Sequence, residues 1–156
     1  MTKEEQYQEI IPQIQSLVSG ESDLIANMAN IAAVLHNTFH FWWTGFYLVK
    51  EKSPISNLQS PINQELVLGP FQGPIACTRI PYNKGVCGTA WAQNKTLIVP
   101  NVHEFPGHIA CSSASKSEIV VPIRRNNEVI AVLDIDSADY NTFDAIDQKY
   151  LEKITL

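Results

Sequence analysis

The 156 residues of this chain suit one domain and leave no room for two ordinary ones. Hydrophobic residues make up 45% and charged residues 17%, which favours a sizeable core and argues against global disorder. The net charge of −5 gives no basic surface of the kind that nucleic-acid binding requires. The apolar runs are too short to span a bilayer and the N-terminus lacks a signal-peptide core, so we expect a cytoplasmic protein.

The first forty residues have the pattern of two amphipathic helices. Apolar residues recur at helical spacing over 3–18, and Ser19-Gly20 ends that stripe. Ser22 or Asp23 can cap a second helix over 24–37.

The middle of the chain alternates short strands with polar segments. Residues 51–64 contain two prolines and many small polar side chains, which predicts an exposed loop. The sequence Gly-Pro-Phe-Gln-Gly-Pro at 69–74 is typical of a turn region. The remaining predictions are strands over 43–49, 65–68, 75–80 and 96–99, with a helix over 85–93.

The last third contains the longest stretch without periodicity, residues 101–117, which includes Cys111. Long irregular segments inside compact domains are commonly functional or mobile. Strong strands over 119–123 and 129–135, joined by residues 124–127, predict a β-hairpin.

A final helix is predicted to start near residue 142, with Thr142 or Asn141 as its cap. Asp144 and Asp147 are then favourably placed near its N-terminus. The order of elements indicates an α+β domain with one mostly antiparallel sheet and helices packed against it.

The predicted hairpin brings three carboxylate side chains close together. Asp134 and Asp136 are two residues apart on a strand, so they project from the same face. Glu118 begins the partner strand and should face the end where the two aspartates lie. Together the three would bind an ammonium group, and their repulsion could keep one protonated. The alternative is that they lie past the sheet edge and are solvated.

The three cysteines, Cys77, Cys87 and Cys111, do not form a disulfide framework or a C-x-x-C motif. No histidine has zinc-ligand spacing to them, so a metal site would need a tertiary coincidence. Small hydroxyl residues after Cys111 suit a turn whose amides hold a thiolate. Cys77 lies in a strand-like run, and Cys87 lies near a helix start, where the dipole lowers a thiol pKa. Each cysteine has the alternative of being a small buried hydrophobic residue.

Aromatic residues cluster at the first strand, and alternation places either Trp42 or Trp43 on the face that could line a pocket. Most such aromatics belong to a core, and one that contacts a ligand methyl or thioether would be the functional variant.

Several long motifs closely resemble the free methionine-(R)-sulfoxide reductases. They lie in register from about Trp43 to the C-terminus and include all three cysteines in order. These segments are 68–77, 85–90, 105–111, 117–122 and 132–137.

The resemblance implies a single GAF domain over residues 1–156, with N-terminal helices in 1–40 and a six-stranded sheet in the catalytic core of 43–156. It implies a homodimer that reduces free methionine-(R)-sulfoxide, is recycled by thioredoxin, and uses no metal or organic cofactor. Two features depart from the family: Ser112 replaces a common aspartate, and the loop at 51–64 is longer than expected.

The resemblance also implies roles for seven side chains, of which three belong to cysteines. Cys111 matches the catalytic cysteine, Cys77 the principal resolving cysteine, and Cys87 a third that some assignments make a reaction partner. The substrate-binding positions are matched by Glu118, Asp134, Asp136 and Trp43.

Two other interpretations share the fold. A non-enzymatic GAF sensor would bind a small ligand or switch through a disulfide, and it predicts a pocket without convergent acids. A degenerate paralogue would bind methionine sulfoxide and turn it over poorly, with Ser112 as the only indication.

Overall fold

The computed structural model describes residues 1–108, 114–154 and 156. Within them, one six-stranded sheet has the order β3-β2-β1-β6-β5-β4, and every neighbouring pair is antiparallel. The sheet confirms the predicted α+β architecture. Its strands are β1 (Trp43–Glu51), β2 (Gln64–Gln72), β3 (Arg79–Pro81), β4 (Leu97–Val99), β5 (Ser117–Arg125) and β6 (Glu128–Ser137).

Both predicted N-terminal helices are present, and two more follow later in the chain. Asp23 caps the second helix by accepting a hydrogen bond from the backbone of Ala26, so the cap is Asp23 and not Ser22. No described helix has the length and apolar character needed to cross a membrane. The helices are α1 (Lys3–Ser19), α2 (Leu24–Phe39), α3 (Gly85–Gln93) and α4 (Ala145–Leu151), with a short 3-10 helix at Val102–Glu104.

The predicted cap of the last helix was wrong. Asp144 is the capping residue, and its carboxylate accepts hydrogen bonds from the backbone of Ile146 and Asp147. The Asp147 side chain in turn accepts from the backbone of Asp144, which completes a reciprocal capping box. Asp144 therefore displaces Thr142, whose hydroxyl donates instead to Ser137.

The residues predicted as a turn at 69–74 mostly continue β2, which runs to Gln72. A bulge between Gly45 and Tyr47 accommodates Gly69 and Pro70, because the pairing shifts from Tyr47–Leu68 to Gly45–Phe71. The predicted strand at 75–80 was also wrong, since only Arg79–Pro81 pairs with β2.

The predicted hairpin between β5 and β6 is confirmed. Asn126 and Asn127 form its two-residue turn, with φ angles of 54° and 65°. Two consecutive left-handed residues are what a type I′ turn requires, and asparagine tolerates that conformation. The pairing then shifts by one residue, with Ile130 as the extra residue of β6, and this shift places Glu118 opposite Asp136.

The two faces of the sheet bury different cores. On one face, α1, α2 and α4 pack through aliphatic and aromatic side chains such as Tyr7, Ile14 and Leu133. On the other face, α3 and aromatic residues of β1 form a second core, with Trp43, Tyr47 and Trp91 among its members. Residues 52–63 contain no helix or strand, consistent with the predicted loop.

Candidate active site

Three acids meet on the second face, as the hairpin register predicts. Glu118 lies directly opposite Asp136 in the β5–β6 ladder, and Asp134 lies opposite Val120, two residues further along. Directly paired residues project to the same side of a sheet, so all three carboxyl groups share one face. Glu118 and Asp134 are buried. The alternative of solvated acids beyond the sheet edge is therefore wrong.

A pocket opens over these acids. The β1 strand contributes Trp43 and Tyr47, which lie on the same face because Trp43 pairs with Asp136 and Gly45 with Asp134. Trp43 is buried and Trp42 is partly exposed at the rim. The remaining walls come from α3 and from the segments on either side of the sheet, through Ile75, Ala76, Ile80, Gly85, Val86, Cys87 and Ser115.

Gly45 makes room for the aromatic wall. A Cβ atom at this position would lie 2.6 Å from Cη2 of Trp43 and 2.3 Å from Cβ of Phe71. Side-chain atoms do not approach that closely, so any larger residue would push the indole away from the acids. The Trp43 and Phe71 rings stack with their centroids 5.2 Å apart.

Asp134 carries an unsatisfied oxygen in this pocket. Within the described part of the chain, no group donates a hydrogen bond to Oδ1 of Asp134, although the residue is only 6% exposed. A buried carboxylate oxygen without a donor is unfavourable unless a ligand supplies one. Asp134 is therefore ready to accept a hydrogen bond from a cationic or polar ligand.

The three acids have different pKa shifts. Burial, followed by the charges of Asp134 and Asp136, raises the pKa of Glu118 well above its usual range. Burial and the Asp134 charge likewise raise the pKa of Asp136, which accepts a hydrogen bond of 3.0 Å from the Ser115 hydroxyl. Burial also raises the pKa of Asp134, but Glu118 and Cys87 favour its ionised form. The cluster therefore holds protons on Glu118 and Asp136 around a more acidic Asp134.

Cys87 lies beside the acids in the first turn of α3. Its Sγ is 4.0 Å from Oε2 of Glu118, and it is a free, buried thiol. Burial and the neighbouring negative charges, of which Asp134 is the largest, raise the pKa of Cys87 well above its usual range. The expectation that the helix dipole lowers this pKa was wrong, because desolvation and three acids outweigh one helix terminus.

Cys77 lies at the edge of the pocket in an irregular segment. Residues 73–78 connect β2 to β3 without belonging to either strand, so the predicted strand environment of Cys77 was wrong. The Tyr47 hydroxyl donates a hydrogen bond of 2.9 Å to the Cys77 carbonyl, and Nε1 of Trp43 donates one of 3.0 Å to the Pro74 carbonyl. Cys77 is disulfide-bonded, in contrast to Cys87.

Cys111, the predicted nucleophile, and Ser112 lie outside the described residues. The described neighbours of that segment include Ser115, which is buried and contacts Asp136. Ser115 lies four positions after Cys111 in the sequence. The chain therefore contacts the acid cluster shortly after the predicted nucleophile.

One group of described residues has the composition of a metal site. The candidate ligand atoms of Cys87, Glu118 and Asp134 all lie within 4.8 Å of one another. This is the tertiary coincidence that the sequence alone did not indicate. Burial and the neighbouring acids raise the pKa of both Cys87 and Glu118, which favours their protonated forms, and a metal would have to displace those protons. The expectation of no metal or organic cofactor stays a prediction.

Comparison with known proteins finds relatives that cover nearly the whole chain. A GAF domain family model matches residues 20–155. A free methionine-R-sulfoxide reductase from Escherichia coli is 42% identical over 99% of this chain and 87% of its own length. The chain belongs to the free methionine-(R)-sulfoxide reductase family. A relative from Dictyostelium discoideum, described as GAF domain-containing protein A, is 57% identical over 98% of this chain and 90% of its own.

A solved structure of a free methionine-R-sulfoxide reductase from Neisseria meningitidis, in complex with its substrate, superimposes with a TM-score of 0.87. It is 49% identical, and the match covers 98% of this chain and 86% of that one. The reduced form of the Staphylococcus aureus enzyme superimposes with a TM-score of 0.83 at 44% identity, over 94% of this chain and 88% of that one. The fold of the reductase family thus extends over nearly all of this chain.

Two polar side chains that line this pocket, those of Tyr47 and Ser115, were not predicted as site residues from the sequence. Tyr47 is predicted only as part of an aromatic cluster, although its spacing of four from Trp43 places both on one face of a strand. Ser115 has no local signal at all, because its role comes from contact with Asp136, twenty-one residues away.

Proposed function

We propose that this protein reduces free methionine-(R)-sulfoxide to methionine by thiol chemistry. The observation that carries the proposal is the buried acid cluster with an unsatisfied Asp134 oxygen, facing Trp43 across one pocket. Free methionine sulfoxide matches both parts, because its ammonium group is cationic and its terminal methyl group suits an aromatic wall.

The acid cluster explains selectivity for the free amino acid. The ammonium group donates to Oδ1 of Asp134, which lacks another donor, and it relieves the repulsion among the three acids. A methionine sulfoxide inside a peptide has a neutral amide at that position. Burying the amide against an ionised Asp134 gives no charge compensation, so peptides are disfavoured.

The first chemical step transfers oxygen from the substrate to a cysteine. The thiolate of Cys111 attacks the sulfoxide sulfur, while Glu118 or Asp136 donates a proton to the sulfoxide oxygen. This attack forms a bond between the two sulfur atoms and leaves a hydroxyl group on the substrate sulfur. The hydroxyl group then passes to the Cys111 sulfur while the S–O bond of the substrate and the new sulfur–sulfur bond break, so methionine leaves and Cys111 becomes a sulfenic acid. The raised pKa values of Glu118 and Asp136 keep a proton available for this step at neutral pH.

The second step forms a disulfide. The Cys77 sulfur attacks the sulfenic acid of Cys111, a sulfur–sulfur bond forms, and the oxygen leaves as water. The disulfide-bonded state of Cys77 supports it as the resolving residue, and the raised pKa of the Cys87 thiol argues against Cys87 in that role. Cys87 instead acts as a neutral neighbour of the acid cluster.

A dithiol must then reduce this disulfide, and we propose thioredoxin. Its two thiols become a disulfide as the disulfide of the enzyme is reduced to two thiols. The cycle requires reduced thiols at its start, so a reducing compartment such as the cytoplasm suits it. We also propose that the protein acts as a homodimer, as the family resemblance implies.

The deciding experiment is NADPH oxidation coupled through thioredoxin reductase and thioredoxin. Free methionine-(R)-sulfoxide, its (S) epimer and a peptide containing the (R)-sulfoxide are compared, using the wild-type protein and Cys111→Ser. We expect turnover with the free (R) epimer alone, lost in the variant. No turnover with any substrate, from protein whose thiols are shown to be reduced, contradicts the proposal and favours a GAF sensor or a degenerate paralogue.

A further inference from the structure

The segment that carries Cys77 is attached to the rest of the pocket by two aromatic side chains. Between β2 and β3, residues 73–78 cross the end of β1 outside the strand ladders, although the Thr78 carbonyl accepts from the backbone of Leu68. Nε1 of Trp43 binds the Pro74 carbonyl at one end of the segment, and the Tyr47 hydroxyl binds the Cys77 carbonyl at the other. Tyr47 therefore contacts the cysteine residue itself.

Tyr47 is well suited to hold this position. Its side chain is 2% exposed, and its ring lies 5.9 Å from the Trp43 ring, centroid to centroid. Burial, followed by the charge of Asp134, raises the pKa of its hydroxyl, so the group keeps its proton and remains a donor. The acceptor of this hydrogen bond is the carbonyl of Cys77 itself, 30 residues away in sequence.

This contact is present while Cys77 is disulfide-bonded. The hydrogen bond is therefore part of the product of the second chemical step, in which the disulfide has formed. A hydrogen bond that forms in the product of a step shifts the equilibrium toward that product. If it has partly formed in the transition state, it also raises the rate of the step.

We infer that the Tyr47 hydroxyl positions Cys77 for disulfide formation, through its hydrogen bond to the Cys77 carbonyl. The inference rests on the proposed function, because it assigns a task within that reaction. Tyr47 acts on the backbone of the resolving cysteine and not on the reacting sulfur, so it is a positioning residue. Its hydroxyl is needed for the second step and not for methionine release.

The test separates the two steps in a single turnover. Reduced protein is mixed with free methionine-(R)-sulfoxide and no reductant, and samples are quenched over time. Methionine is measured by chromatography and remaining thiols by alkylation and mass spectrometry. For Tyr47→Phe we expect the rate of disulfide formation to fall by roughly three- to tenfold more than the rate of methionine release, the factor that one net hydrogen bond supplies.

A second readout needs no substrate. Wild type and Tyr47→Phe are equilibrated in dithiothreitol redox buffers, and the fraction of disulfide is measured by alkylation. The variant should shift toward the dithiol by roughly the same three- to tenfold factor in its equilibrium constant. A substitution that only lowers global stability would not slow disulfide formation selectively. It would also not shift the redox equilibrium by the same factor as the rate.

Tyr7→Phe is the matched control. Tyr7 is also a buried tyrosine, and its hydroxyl donates a hydrogen bond of 2.6 Å to Asp147 on the opposite face of the sheet. We expect Tyr7→Phe to lower thermal stability while leaving both chemical steps at wild-type rates. If Tyr47→Phe does not fold, protein with 3-fluorotyrosine at position 47 carries the redox measurement. The ring and hydroxyl are kept but the hydroxyl is a stronger donor to the Cys77 carbonyl, so the equilibrium should shift toward the disulfide.

The outcomes are distinguishable. A redox equilibrium for Tyr47→Phe equal to that of wild type overturns the inference, as does an unchanged equilibrium with 3-fluorotyrosine at position 47 if that protein stands in. A rate of disulfide formation that falls no more than the rate of methionine release also overturns it, since the hydroxyl then has no separate task in the second step. Failure of the wild type to release methionine contradicts the proposed function instead.

Discussion

Two glutamates lie buried in neighbouring parts of one sheet, and their surroundings have opposite electrostatic character. Glu65, in β2, is 1% exposed, and Glu118, in β5, is 5% exposed. Glu65 accepts hydrogen bonds from the Arg79 guanidinium at 2.6 Å and the Ser56 hydroxyl at 2.7 Å. Glu118 has two aspartates and a thiol as neighbours.

The difference appears in the ionisation of the two groups. Burial alone would raise the pKa of Glu65, but hydrogen bonds from Ser56, Ser53 and Arg79 lower it overall. Burial and two negative neighbours raise the pKa of Glu118. Two glutamates that are both nearly inaccessible to solvent therefore have pKa shifts of opposite sign. The partnered glutamate anchors the loop at 52–63, and the unpartnered one is available for chemistry.

The comparison also predicts opposite effects of pH on folding stability. Glu118 has a higher pKa in the folded than in the unfolded protein, where it is about 4.3. Its contribution is full below the unfolded-state value and is lost as pH rises toward the folded-state value. Glu65 has a lower pKa in the folded protein, so its contribution is present above about pH 4.3 and is lost as pH falls through its folded value.

The largest expected effect comes from Asp134→Asn, which removes one carboxylate from the cluster of Glu118, Asp134 and Asp136. We expect kcat/KM for free methionine-(R)-sulfoxide to fall by about a thousandfold, the scale of losing one partner of a buried charge pair. Asp139→Asn is the control, because Asp139 is an exposed aspartate just beyond the same strand. Steady-state kinetics of both variants test this, and an Asp134→Asn enzyme with near wild-type kcat/KM would contradict ammonium binding at this residue.

Glu118→Gln should separate function from stability. Removing an acid that holds a proton at neutral pH is expected to lower kcat by about a hundredfold, near the lower end of the range for general acids. The same change removes a group whose ionisation destabilises the folded protein at alkaline pH. We therefore expect the variant to be at least as stable as wild type at pH 8, measured by urea unfolding. A less stable variant at pH 8 would contradict the raised pKa.

Arg79→Met should have the opposite consequence. It leaves the buried Glu65 carboxylate without its cation, and we expect a loss of about 2–3 kcal/mol in the free energy of unfolding. The Arg79 side chain is 30% exposed, which places the loss below the full range for buried pairs. Arg79→Lys keeps the charge and should recover part of the stability. Urea unfolding at pH 7 and pH 4 tests this, because the difference from wild type should shrink in acid.

The smallest effects should come from a pair of serines that contact these acids. Ser56→Ala removes a hydrogen bond to Glu65 and should lower the free energy of unfolding by about 1 kcal/mol without changing kcat/KM. Ser115→Ala removes a hydrogen bond to Asp136 that lowers its pKa. The variant's pH–rate profile should therefore move to higher pH. Identical pH–rate profiles for Ser115→Ala and wild type would contradict a role for Asp136 in catalysis.

Local patterns account for what was predicted successfully. The shared face of Asp134 and Asp136 follows from strand alternation, and the hairpin brings Glu118 to the same end of the sheet. The pairing of Glu118 with Asp136 also depends on the register shift at Ile130, which no local pattern predicts. Predictions that depend on distant contacts were less successful. The environment of Cys77 was predicted as a strand, because an apolar run does not reveal that the tyrosine and tryptophan side chains of β1 hold it in an irregular segment.

By itself, the sequence determined the two N-terminal helices, the C-terminal hairpin, the shared face of Asp134 and Asp136, and the family resemblance. These features depend on periodicity, turn chemistry and spacing, all of which are local. Only the tertiary structure decided the ionisation of those acids, the placement of Cys87 among them and the contact between Tyr47 and Cys77. A pKa depends on desolvation and on charges that folding brings from distant segments, so local sequence could predict the wrong sign for Cys87.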